Sequence, residues 1–163
     1  MPGASSWSFK EEDFKAISAH LSALLRETNV KSLLLVDRTG QVVANVGEPP
    51  QFDAQAFASL TAADFSANDQ LAKMIGEHEF SSLFHQGEKE SMYLADVARR
   101  VILVALFDNR TTLGMVRIKV KTTVDQLTKL FEEMFKRAGT EAPKLEGFAS
   151  KEAEDEIDKL FGD

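Results

Sequence analysis

The chain contains no cysteine, and its three histidines, His20, His78 and His85, are scattered. Without thiols there is no disulfide framework, no thiolate metal cluster and no cysteine nucleophile, which suits a reducing compartment. Long apolar runs are also missing: the longest, Val101 to Phe107, is seven residues, where a membrane-spanning helix needs about 20. The opening Met1-Pro2-Gly3-Ala4-Ser5-Ser6-Trp7 lacks the basic patch and apolar stretch of a secretory signal. Positive charge is in deficit, with 19 basic against 26 acidic side chains and a net charge of −7, so bulk electrostatics disfavour nucleic acid and anionic membranes. A cytoplasmic protein without nucleic-acid partner or membrane insertion is expected. A chain of 163 residues buries roughly two-thirds of its unfolded surface, so its core needs neither disulfide nor metal.

Catalytic signatures are absent as well. None of the nine glycines sits in G-x-x-x-x-G-K-[ST], whose successive amides would wrap a phosphate. His78-Glu79 begins like the zinc-protease H-E-x-x-H, but Ser82 stands where the second histidine belongs. No G-x-S-x-G elbow presents a serine nucleophile. His85 reads as a packing or edge-strand residue and His20 as a solvated helix residue. No enzyme active site, metal or cofactor is expected.

What is present is periodicity. Phe14, Ile17, Leu21, Leu24 and Leu25 recur at helical spacing after Ser8, which stands three residues before Glu11 in capping-box spacing. The predicted helix runs over 9–28, with Asn29 as a left-handed stop. Leu33–Val36 and Gln41–Val46 flank Asp37-Arg38-Thr39-Gly40, a hairpin turn with a bulge. Asp53 is positioned to cap a second helix reaching Ile75, ended by Gly76. Strands follow over Phe80–Gln86, Ser91–Val97 and Arg100–Phe107, the last apolar enough for a central strand buried on both faces. Leu113, Val116, Val120, Val124, Leu127, Phe131 and Met134 then mark a long helix ending near Ala138-Gly139. The order α-β-β-α-β-β-β-α predicts an α+β sandwich, read here as a five-stranded antiparallel meander with helices on its faces. Residues 1–8 are expected to be disordered, 9–138 to form the domain, 139–149 a linker and 150–163 an acidic docking segment.

Three features suit a protein partner. Ala63, Ser66, Ala67 and Gln70 share one stripe of the second helix, either packing on the chain's own sheet or open to another helix. Phe57, Leu60, Phe65, Leu71, Met74 and Ile75 are read as the side chains that pack this helix on the sheet. Residues 99–121 carry six cations against Asp108 alone. Arg99, Arg100 or Arg110 could serve as an arginine finger, although the first two belong to a turn that charge keeps solvated and Arg110 to a helix start. Finally, Ile157, Leu160 and Phe161 form a short apolar face among acids, too short to hold a helix alone and therefore suited to docking in a groove.

Several phrases in order carry a family likeness: Leu35-Val36-Asp37-Arg38-Thr39-Gly40-Gln41, Ala58-Ser59-Leu60-Thr61-Ala62, Leu71-Ala72-Lys73-Met74-Ile75-Gly76-Glu77, Phe84-His85-Gln86-Gly87 and Phe107-Asp108-Asn109-Arg110-Thr111-Thr112-Leu113-Gly114. Over 9–138 the chain resembles the roadblock/dynein light chain superfamily, and its bacterial MglB branch in particular. The resemblance implies a homodimer in which second helices pair and third strands, here with Leu83, Phe84 and His85, continue one sheet. It further implies a platform and GTPase-activating partner for an MglA-like small Ras-family GTPase, two subunits to one GTP-bound GTPase, in bacterial cell polarity and gliding motility. Activation there works through the GTPase's own switch regions, without an inserted finger. The GTPase-facing positions fall on Ala63, Ser66, Ala67 and Gln70, and the C-terminal docking positions on Ile157, Leu160 and Phe161. Partner-driven enrichment at a cell pole would follow. Asp64 and Asp69 change the charge of the helix face relative to the family, and Ala98-Arg99 lacks the glycine common at that turn. Glu156-Ile157-Asp158-Lys159-Leu160 also resembles a flagellar-switch segment that binds receiver domains, which adds response regulators and polarity proteins as candidate partners. The alternative reading is a scaffold or localisation module of the same fold that accelerates nothing; a small-molecule sensor has only the architecture behind it.

Overall fold

A computed structural model describes residues 9–141. The elements are α1 (Glu11–Thr28), β1 (Ser32–Asp37), β2 (Val42–Gly47), α2 (Ala54–Met74), β3 (Ser82–Gln86), β4 (Ser91–Val97), β5 (Val101–Phe107) and α3 (Leu113–Glu141). The expected class and order are therefore found. Ser8 lies outside the described residues; α1 starts at Glu11 because the Asp13 carboxylate reaches back to accept from the Lys10 N–H at 3.0 Å. Asn29 closes the helix at φ 62°, its N–H on the Leu25 carbonyl. Asp53 caps α2 through the N–H groups of Gln55 and Ala56. Helix α3 continues to Glu141, into the stretch read as linker.

The meander is corrected. The sheet is antiparallel with order β2-β1-β5-β4-β3. Strand β1 pairs with β5, Leu34 opposite Val104 and Leu35 opposite Leu103, while α2 carries the chain from β2 to the far edge. The reason is hydrophobic: β1 is buried along its whole length and β5 at all positions but Leu106, so each needs a strand on both sides. The β1–β2 hairpin and the β3–β4–β5 meander thus meet at their most apolar strands, and β2 and β3 are left as edges.

Two cores result. On one face Leu33, Leu35, Leu103, Ala105 and Phe107 pack under α1 and α3, with Ile17, Leu21, Leu24, Val120, Leu127 and Phe131. On the other, Leu34, Val36, Leu94, Ile102 and Val104 meet Ala58 and Phe65 of α2. Five strands about 4.8 Å apart make a sheet roughly 20 Å wide, and one helix covers only about 10 Å of it. The first face has two helices; the second has one.

The hairpin turn between β4 and β5 places both Ala98 (φ 55°) and Arg99 (φ 58°) in the left-handed region, where neither is glycine. Arg100 N–H closes the turn on the Val97 carbonyl, and Asp96 accepts the Arg99 N–H at 3.2 Å. A carboxylate thus holds the strained backbone of this turn.

Buried Asp13 also accepts from Arg137 Nη2 at 2.6 Å and so ties the start of α1 to the end of α3. Burial pushes its pKa up, but the Arg137 guanidinium and the Lys10 N–H outweigh that and hold it below the usual carboxylate value. A pKa lower in the folded than in the unfolded chain contributes stability above the ordinary value of about 3.9, and that contribution is lost as pH falls. Asp13→Asn is expected to lower the thermal midpoint at neutral pH and to converge with the wild type in acid; calorimetry across pH checks this. Phe65→Ala, removing the one large side chain that seats α2, should cost about 3–5 kcal/mol in urea unfolding.

Candidate functional site

The outer face of α2 inverts the usual arrangement. Its buried positions are Ala58, Thr61, Phe65, Asn68 and Ala72, small or polar except for one phenylalanine. Large side chains from the sheet, Leu34, Leu94, Ile102 and Val104, fill the space beneath, and short residues let the helix come close. The expected packing role of Phe65 holds, and Phe57 is half-buried against the same core. That of Leu60, Leu71, Met74 and Ile75 does not. They are 71%, 58%, 82% and 70% exposed, because helical rotation carries them away from the stripe that faces the sheet. Between them Ala63, Ser66, Ala67 and Gln70 are all exposed. The stripe therefore does not pack on the chain's own sheet, and the alternative left open by the sequence is resolved: a small-residue surface flanked by exposed leucines and a methionine faces outward.

Beside this helix the sheet is incompletely covered. A depression of about 350 Å³ is lined by Phe52, Phe57, His85, Gln86, Met92 and Leu106, among others. It borders β3, whose outer edge has no strand partner among the described residues. Leu83 and Phe84 are half-buried and His85 is exposed. Leu83 points to the α2 side and Phe84 to the α1/α3 side, stacked on Phe107 at 6.2 Å between ring centroids. The opposite edge, β2, lies under α1.

Two polar contacts missed by sequence reasoning fix α2 in place. Arg38, in the β1–β2 turn, donates from Nη1 to Asp69 Oδ2 at 2.7 Å and from Nη2 to Asp96, with its guanidinium 5.1 Å from the Phe65 ring centre. One side chain thus joins the first turn, the second half of α2 and the strained β4–β5 turn. Buried Arg38 Nε, Asp69 Oδ1 and Asn68 Nδ2 lack hydrogen-bond partners, so the bridge is polar but incompletely satisfied. The second contact is His85 Nε2 with Asp64 Oδ2 at 2.6 Å, linking β3 to α2 on the exposed side. Asp64 and Asp69 are thereby drawn partly into internal contacts. Their partners lie 21 and 31 residues away in sequence, and no local pattern signals such pairing.

The arginines considered as fingers are engaged elsewhere. Arg110 donates to Asp108 at 3.0 Å and to Glu48 at 3.3 Å, Arg99 contacts Glu79, and Arg100 stacks 4.3 Å from the Phe135 ring centre. Ile157, Leu160 and Phe161 lie outside the described residues. Among the described residues no three histidine or acidic side chains converge as a metal site, and no helix is long and apolar enough to cross a membrane.

The model of the Roadblock/LC7 domain matches residues 16–107, from the first turns of α1 to the end of β5. The chain belongs to the Roadblock/LC7 family. Within that family it is of the MglB type. MglB of Myxococcus xanthus is 44% identical, with a TM-score of 0.73 over 78% of this chain and 96% of that one. The gliding protein MglB of Thermus thermophilus is 30% identical, with a TM-score of 0.75 over 80% and 99%. An MglB solved in a tetrameric arrangement matches equally well, at 30% identity and a TM-score of 0.75 over 81% and 99%. The Roadblock/LC7 match ends at residue 107, before α3, whereas the MglB structures cover most of the chain.

Arg38→Ala strands Asp69 and Asp96 beside each other without a cation. A loss of roughly 1–3 kcal/mol is expected in chemical unfolding, below the range for fully buried pairs because both carboxylates keep some solvent contact. Arg38→Lys should recover only part of it, since an ammonium cannot fork to both acids.

Proposed function

We propose that the chain is a GTPase-activating partner of an MglA-like small Ras-family GTPase, acting as a homodimer without an active site of its own. The observation that carries this is the outward stripe Ala63, Ser66, Ala67 and Gln70 between exposed Leu60 and Leu71. Short side chains let a partner's backbone approach, and the flanking apolar groups supply surface to bury.

The half-covered sheet supports the dimer. A second copy added at β3 would pair Leu83–Phe84–His85 with the same segment in reverse, completing the backbone hydrogen bonds of the edge. It would also bring a second α2 onto the α2 side, covering the depression beside β3 and setting two small-residue stripes next to each other. Such a two-helix platform fits two subunits to one GTPase.

With Arg99, Arg100 and Arg110 held in internal contacts, activation proceeds by selection. The platform binds the switch conformation competent for hydrolysis more tightly than the others and shifts the GTPase's population toward it. The similarity to MglB of M. xanthus and to a gliding protein of T. thermophilus supports a role in bacterial cell polarity and gliding motility, exercised in the cytoplasm with enrichment at a pole through partners.

In single-turnover assays with the GTP-loaded cognate GTPase, catalytic amounts of the protein should accelerate phosphate release. Ala63→Arg should abolish the acceleration while sedimentation still reports a dimer. Binding of the wild-type protein without acceleration would overturn the activator reading in favour of a scaffold.

A further inference from the structure

Among the described residues large apolar side chains stand in water at four places: Phe14 on α1, Phe52 before α2, the Leu60–Ile75 face of α2, and Met115 with Ile118 on α3, these last two 45% and 67% exposed. Their electrostatic settings differ. Phe14 shares its surroundings with Glu11 and Lys15, which pair with each other, Phe52 shares a depression with Glu48, Glu90 and the Lys31 that bridges them, and the α2 face carries Asp64, Asp69 and Glu77 against Lys73. Around Met115 and Ile118 the charge is of one sign. Between Asp108 and Asp125 there is no acid, and Arg117, Lys119 and Lys121 surround the apolar pair. Helical geometry puts Arg117 and Lys121 in one row on one side and Lys119 on the other. None of the three forms an ion pair with a described residue.

We infer that this cationic, apolar-centred face of α3 is the docking site of the chain's own acidic segment, residues 150–163. The segment holds six acids and two lysines, with Ile157, Leu160 and Phe161 spaced to form one apolar face. It would meet mixed charge at the other three patches and an excess of unpaired cations only at this one. The tether reaches: Ile118 lies 23 residues before Glu141, about 35 Å back along the helix, and the 15 residues 142–156 span up to about 50 Å when extended. Tethering at millimolar effective concentration populates a contact too weak to form between separate molecules. Resting on the GTPase reading above, the consequence is regulatory: a segment held on α3 is withheld from the GTPase, and binding there must first displace it.

The lack of cysteine makes the test direct. Full-length Lys159→Cys protein, isotope-labelled and carrying a nitroxide, should show paramagnetic broadening of the amides around Met115, Ile118 and Lys121. The broadening should vanish in about 1 M salt, where the Debye length falls to about 3 Å, and in the Arg117→Glu/Lys121→Glu variant. It should return when Glu156→Lys and Asp158→Lys are added to that variant. Broadening centred on Phe14 or on Leu60–Met74, or nowhere in 9–141, would overturn the assignment. So would broadening that appears only when the nitroxide is on a second, unlabelled copy, which would mean exchange between molecules. These readings use the protein alone and stand whether or not a GTPase binds. In a separate arm, the Arg117→Glu/Lys121→Glu variant should bind the GTPase several-fold more tightly; equal affinity would remove the regulatory consequence and leave the docking, and no GTPase binding by any variant would instead sink the reading on which that consequence rests.

Discussion

The pairing of β1 with β5 is the constraint from which the molecule's usable surface follows. Each strand alone is too apolar to be an edge, and joined they turn a hairpin and a three-stranded meander into one five-stranded sheet. Once that pairing is made, α2 must cross from β2 at one edge to β3 at the other, and it crosses alone on its face. The opposite face receives both α1 and α3 and is sealed. The incomplete cover beside β3 and the open edge there are consequences of connectivity, because the chain has no fourth helix among the described residues to put over them.

A lone helix on its face of the sheet has a problem of attachment. Its inward side is short-chained, so it gains little from apolar burial beyond Phe65. Arg38 addresses this by gripping α2 at Asp69 from a turn of the sheet. The same guanidinium engages Asp96, whose other oxygen holds the left-handed Arg99. A strained turn, a helix and a hairpin are therefore joined through one cation. Outward apolar residues are the counterpart: Leu60, Leu71 and Met74 are mostly exposed and bury little of their surface in the single chain.

The residues that set local geometry were legible in the sequence. Asp53, Asn29 and Gly40 each act through neighbours within a few positions, and the seven apolar residues of β5 announce a central strand. The α-β-β-α-β-β-β-α order followed from such signals, while the stripe on α2 was found but its exposure was left open. The β1–β5 pairing did not, because antiparallel partners 70 residues apart, such as Leu34 and Val104, leave no periodic trace. The orientation of α2 was half legible. A rule that sends large apolar residues inward assigns Leu60, Leu71 and Met74 to the core, and it fails where the sheet, not the helix, supplies the bulk. That failure is itself informative, since an amphipathic pattern that points outward is the observation on which a partner-binding proposal for α2 rests.

The charge distribution sharpens what such a surface can do. Of the net −7, the segment 150–163 carries −4, leaving −3 on residues 1–149. The domain is thus close to electrically balanced, yet the balance is uneven in space: acids line α2, and the first half of α3 is cationic. An acidic partner segment and a protein surface that engages α2 consequently select opposite sides of the sheet. One molecule can hold both kinds of contact at once without the two competing for the same residues, and any coupling between them must pass through the segment that tethers one to the other.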